Sequence, residues 1–121
     1  MKGSCLCQNV TFEVNAPPEG MACCHCTQCR KQSGHVWASA HVPDDALAVW
    51  GAVRWYQSSE KARRGFCPTC GAFLFWKHAD DDHISFSLGA IDGPTGVRLA
   101  RHIFTADKGD YYDITDGLPQ S

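Results

Sequence analysis

The sequence predicts an all-β fold, and three features predict it. Apolar residues recur with period two along most of the chain, clusters of Gly, Pro, Asn and Asp interrupt that pattern at short intervals, and only one segment leaves room for a helix, a short one. Taken in order, Val10, Phe12 and Val14 alternate with Thr11 and Glu13, which reads as a strand. Residues 15–20, Asn-Ala-Pro-Pro-Glu-Gly, form a turn or loop. Residues 24–34 are polar and cysteine-rich, a tight knuckle followed by at most a short helix. Val36, Ala38, Ala40 and Val42 alternate with His35, Trp37, Ser39 and His41 until Pro43-Asp44-Asp45 stops the run. Strands follow at 47–50 and 53–56 around Gly51, and a second knuckle, Phe66-Cys67-Pro68-Thr69-Cys70-Gly71, leads into a strand at 73–76. Asp80 to Asp82 turns the chain, 84–88 alternates again, and 92–96 turns it once more into a last long strand at 97–104. The tail from Thr105 is rich in Asp and Gly. Short strands joined by turns, with no repeat, linker or low-complexity stretch, predict a single domain over residues 1–121.

The charge balance narrows the function. Lys plus Arg is 11 and Asp plus Glu is 13, a formal net charge of −2. A nucleic-acid partner would normally demand a basic excess, so none is expected. No stretch approaches the ~20 apolar residues of a membrane span, so no membrane partner is expected. Met1-Lys2-Gly3-Ser4 runs into Cys5 without an apolar signal region, and the expected compartment is the cytoplasm.

Cysteine is the most informative residue type: there are 8 in 121 residues. A reducing compartment argues against disulfides, and so do the spacings. Cys67-x-x-Cys70 followed by Gly71 has the form of a zinc knuckle, in which two sulfurs point at one spot. A closed structural zinc needs four ligands, and Cys5-x-Cys7 can supply the other two, because residues i and i+2 of a strand face the same way. Cys24, Cys26 and Cys29 form a separate group. Three thiolates leave one coordination position, as in catalytic zinc sites where water or substrate completes the tetrahedron. Cys23 neighbours Cys24, and adjacent side chains of an extended chain diverge. Two readings of the vacancy stand: it is open to a ligand, or a distant His, or Cys23 after a kink, closes it.

These residues carry a resemblance. The segment from Cys24-His25-Cys26-Thr27-Gln28-Cys29 to Gly34, the opening Gly3-Ser4-Cys5-Leu6-Cys7 and the knuckle Phe66 to Gly71 resemble the glutathione-dependent formaldehyde-activating enzyme family, which includes centromere protein V. Leu88-Gly89-Ala90-Ile91-Asp92, His102-Ile103-Phe104 and Ile114 to Pro119 add to the likeness, which covers nearly the whole chain. The resemblance implies a β-tent fold, antiparallel sheets pinned by zinc. It implies two zinc ions per chain, a structural one on Cys5, Cys7, Cys67 and Cys70 and a catalytic one on Cys24, Cys26 and Cys29. It implies a carbon–sulfur lyase or synthase that joins glutathione and formaldehyde to S-(hydroxymethyl)glutathione. A three-thiolate zinc suits a soft thiol ligand, which is consistent with a glutathione-like substrate. The rival reading is a non-catalytic, zinc-stabilised binding module.

Other residues carry two readings each. Arg30 and Lys31 follow the last cysteine of the middle group, and they either hold a substrate carboxylate or solvate the knuckle. His25 reads as a polar neighbour of the ligands rather than a ligand. His35 and His41, expected on one face of one strand, are proton relays or exposed strand residues. Arg63 and Arg64 read as surface charge, and Trp37, Trp50, Trp55 and Trp76 as packing residues of which one can line a pocket.

Overall fold

The computed structural model describes residues 1–121. Two sheets carry the fold. The smaller holds β1 (Lys2–Ser4), β2 (Thr11–Val14) and β5 (Leu47–Trp50) in the order β1-β2-β5, both pairs antiparallel. The larger holds β3 (Glu19–Cys24), β4 (Trp37–Pro43), β6 (Arg54–Gln57), β7 (Ala62–Phe66), β8 (Phe73–His78), β9 (His83–Ser87) and β10 (Arg101–Ile103). Its order is β10-β3-β4-β9-β8-β7-β6. One helix, α1 (Thr27–Ser33), leaves the first knuckle and ends on Gly34 in the left-handed conformation, φ 86. The all-β expectation holds.

Three elements differ from the sequence reading. β3 falls partly on residues expected to be a loop; its Gly20 has φ 64 and a register shift separates Glu19 from Ala22, so the strand carries no clean alternation. β7 is not legible as a strand because its buried residues are Ala62, Arg64 and Gly65, with no large aliphatic among them. The last long strand shrinks to Arg101–Ile103, and it runs parallel to β3, so the larger sheet is not wholly antiparallel.

The alternation read in β4 is borne out and decides the layout. Ala40 and Val42 turn toward the main core, while Trp37, Ser39 and His41 line a cavity on the other face. The main core lies where the two sheets face each other. Phe12 of β2 meets Phe75 of β8 edge to face at 5.2 Å and Phe86 of β9 at 6.1 Å. Val10, Val14, Leu74, Cys5 and Cys67 complete the same cluster.

Phe12 is 1% exposed, and its ring also fills the space a side chain at Gly3 would take. Phe12→Ala is expected to lower stability by about 3–5 kcal/mol in urea titration, since the cavity it leaves is walled by two rigid sheets. A loss below about 1 kcal/mol would show that the sheets collapse onto the gap and that this ring does not set their spacing.

Candidate functional site

Four cysteines meet at one end of the main core. Cys5 and Cys7 lie in the turn after β1, where Gln8 takes φ 66, and not on a strand as the spacing suggested. Cys67 and Cys70 lie in the turn between β7 and β8, closed by the Gly71 amide donating to the Cys67 carbonyl at 2.8 Å. All four sulfurs lie within 4.8 Å of one another. Cys5 Sγ is 3.6 Å from Cys7 Sγ, which is 3.7 Å from Cys67 Sγ. Those separations are far beyond the ~2.05 Å of a disulfide. They match the ~3.8 Å edge of a tetrahedron built on ~2.3 Å metal–sulfur bonds. Backbone amides also face the sulfurs: Val10 donates to Cys5 Sγ at 3.3 Å, and Thr69 and Cys70 donate to Cys67 Sγ at 3.4 and 3.5 Å. The Ala72 and Cys7 amides pull the Cys70 thiol down to about 6, and the Cys70 amide lowers Cys67. Donor type, number and spacing fit a tetrahedral ion such as zinc.

The second group is built differently. Cys24 ends β3, Cys26 is the N-cap of α1 and accepts the Cys29 amide at 3.3 Å, and Cys29 sits on the buried face of the helix. Their three sulfurs lie within 4.8 Å of one another, and the group has no fourth member. The hydrogen bond from Cys24 lowers the Cys29 thiol to about 6, helped by Arg64, and the same bond raises Cys24. The donor set again fits a soft or borderline ion, with one position left to a ligand. Cys23 points elsewhere, as its place in a strand requires, and groups with His25 and His102.

The three sulfurs open onto a cavity of about 490 Å³, within the range of small-molecule sites. Its apolar walls are Trp37, Trp76, Ile103 and Phe104. Trp37 is fixed by stacking on Phe73 at 4.4 Å and by donating its Nε1–H to Ser87 Oγ at 2.6 Å. Of the four tryptophans, Trp37 and Trp76 line the cavity, while Trp55 packs on the main core and Trp50 is exposed.

Arg64 is the residue the sequence reading missed. It is 6% exposed, lines the cavity and donates from Nη1 to Cys29 Sγ at 3.5 Å. Its neighbour Arg63 does lie outside, over the Trp55 ring. The strand period would have separated the two arginines had β7 been recognised. Arg30 is half-buried and is not on the cavity wall, and Lys31 is exposed and lines an adjoining recess with Gln28, Gln32 and Arg64. His41 lines the cavity, but His35 precedes β4, is exposed and pairs with Tyr111, so the two histidines do not share a strand face.

Next to the three-sulfur group runs a polar chain whose two histidines, His25 and His102, are buried. His102 Nε2 donates to the Asp116 carboxylate at 2.8 Å, which leaves His102 Nδ1 to accept from His25 Nε2 at 2.9 Å, and His25 Nδ1 in turn accepts from the Tyr112 hydroxyl. Every ring nitrogen is thereby satisfied, so Cys23, His25 and His102 offer a metal no free nitrogen. The chain ties the C-terminal tail to the knuckle that carries Cys24 and Cys26. Burial, then the His102 ring, lowers His25, whereas the Asp82 carboxylate raises half-buried His83.

The match to known proteins is extensive. Residues 1–107 match the family model described as glutathione-dependent formaldehyde-activating enzyme. A protein of Schizosaccharomyces pombe described as an uncharacterised lyase is 25% identical over 122 residues, spanning 95% of this chain and 85% of the relative. A crystal structure of a Rhodobacter sphaeroides protein is similar with a TM-score of 0.60 at 25% identity, covering 100% of both chains. No helix is long and apolar enough to cross a membrane.

The two histidine environments predict opposite titrations. In ¹H–¹⁵N spectra of the imidazole rings, His25 is expected to titrate below the ordinary value of ~6.5 and His83 above it. The sign for stability follows: between ~6.5 and its folded value His25 is protonated only when unfolded, so this ring removes stability as pH falls through that window. Coincident titration of the two rings, or His25 titrating higher, would contradict the buried chain.

Proposed function

The chain belongs to the glutathione-dependent formaldehyde-activating enzyme family, and on that premise we propose that it is a zinc-dependent carbon–sulfur lyase or synthase acting on the adduct of a glutathione-like thiol with a small aldehyde such as formaldehyde. The observation that carries the proposal is the three-sulfur group, which opens onto a cavity and has no fourth protein donor. In the synthetic direction a carbon–sulfur bond forms between the thiol sulfur and the carbonyl carbon, and the thiol proton ends on the former carbonyl oxygen. The lyase direction is the reverse.

Each residue has a part in this reading. Cys24, Cys26 and Cys29 would hold the catalytic ion, and Cys5, Cys7, Cys67 and Cys70 the structural one. A zinc ion at the first of these would supply thiol deprotonation near neutral pH. Trp37 and Trp76 wall the cavity and exclude water from the reacting sulfur. Arg64 and Arg101 put positive charge on its wall, Lys31 adds charge at the adjoining recess, and Arg30 lies on α1. The free state of all eight cysteines suits a reducing compartment, which we take to be the cytoplasm.

The two sites separate by mutation. Wild type is expected to carry about two zinc ions per chain. Cys67→Ser should cost folding, because it removes a ligand of the group that joins the two sheets. Cys26→Ser should leave the melting transition within a few degrees, lose about one zinc and abolish calorimetric glutathione binding, which in wild type strengthens with rising pH as the thiol loses its proton. Equal binding by both proteins would sink the open-site reading, and zinc retention without thiol binding in wild type would favour the binding module.

A further inference from the structure

Arg64 reaches the cavity with its hydrogen bonding incomplete. Nη1 is engaged by Cys29 Sγ at 3.5 Å and by Gln32 Oε1 at 3.4 Å. The guanidinium carbon stands 5.5 Å from the Phe73 ring centre. Nε is buried and has no partner. Nε and Nη2 share the edge of the guanidinium that faces away from Nη1, and this edge matches the two oxygens of a carboxylate. Buried donors without an acceptor are uncommon in native proteins, and of the two arginines here with such an Nε, Arg30 and Arg64, Arg64 is the one that lines the cavity.

We infer that Arg64 is a specificity-determining residue of this cavity, whose unpartnered Nε–Nη2 edge takes the carboxylate of the thiol ligand, Nη2 first, since Nε is sealed from solvent until a ligand enters. The inference rests on the thiol-binding reading above and sharpens its substrate class. Arg64 Nη1 touches Cys29 Sγ, so a thiol seated at the three sulfurs lies just beyond the near side of the guanidinium. A carboxylate on the far edge is then roughly 5–7 Å from that thiol sulfur. A carboxylate two or three methylenes from the sulfur spans that gap. The class is therefore a short mercaptocarboxylate, or a larger thiol that presents a carboxylate at that reach. Arg101 also lines the cavity but is exposed, so its charge is screened and unselective.

Calorimetry with 3-mercaptopropionate and its neutral amide, under thiol-free reductant and with zinc content measured alongside, tests this. Wild type is expected to prefer the carboxylate by about tenfold or more. Arg64→Gln should erase the preference while the amide binds as in wild type, and Arg101→Gln should keep it. Arg64→Lys retains a cation beside Cys29 without the fork and should also lose most of the preference. Binding of both thiols to wild type without preference overturns the inference alone, as does a preference that survives Arg64→Gln. Loss of the second zinc by both Arg64 variants overturns it too, since Arg64 would then serve the thiolates only. No binding of either thiol to wild type overturns the thiol-site reading and this inference with it.

Discussion

Four sulfurs drawn from two sheets meet within 4.8 Å at one end of the core. Cys5 and Cys7 follow directly from β1 of the small sheet, and Cys67 and Cys70 join β7 to β8 in the large one. The contact therefore sets how the sheets face each other, and Phe12, Phe75 and Phe86 fill the space it defines. A chain of this length buries a core of modest size, and such domains often gain stability from a bound ion. Backbone amides lower the Cys67 and Cys70 thiols while burial and the neighbouring sulfurs push Cys7 up to about 11, so a bound cation would be what brings all four to the thiolate form.

The second group depends on the first only indirectly. β3, α1 and β4 bring Cys24, Cys26 and Cys29 together around Trp37, on the face of the large sheet turned away from the main core. Three donors on one short stretch leave room for a ligand, and the cavity supplies the space. The rigid part lies next to it: the chain from Tyr112 through His25 and His102 to Asp116 holds the knuckle, and α1 holds it too. Positioning is thus separated from access to the cavity, an arrangement suited to a site that takes up a ligand.

Much of this was legible in the residues. The cysteine spacings sorted the sulfurs into the two groups found in space, and the period-two pattern located β2, β4, β5, β6, β8 and β9. What was hidden has a common cause: polar or small residues placed inward by tertiary contacts. β7 carries Arg64 inward because Cys29 and Gln32 receive its N–H groups, and an arginine in sequence reads as solvent-facing. β3 is broken by the Gly20 conformation, which no alternation reveals. Cys5 and Cys7 converge through a turn at Gln8 rather than through strand geometry. The end of the chain could not be placed from its composition, because Tyr112 is held by His25, 87 residues away, and Asp116 by His102.

On this reading the molecule carries one closed and one open metal site. Zinc-edge X-ray absorption of the zinc-loaded protein in thiol-free reductant tests it most directly. Four sulfurs at one site and three at the other predict an average of about 3.5 sulfurs per zinc with a light-atom shell of about half an atom, rising to about four sulfurs when a thiol is added. Four sulfurs per zinc before any thiol is added, or a spectrum that added thiol leaves unchanged, would contradict the account.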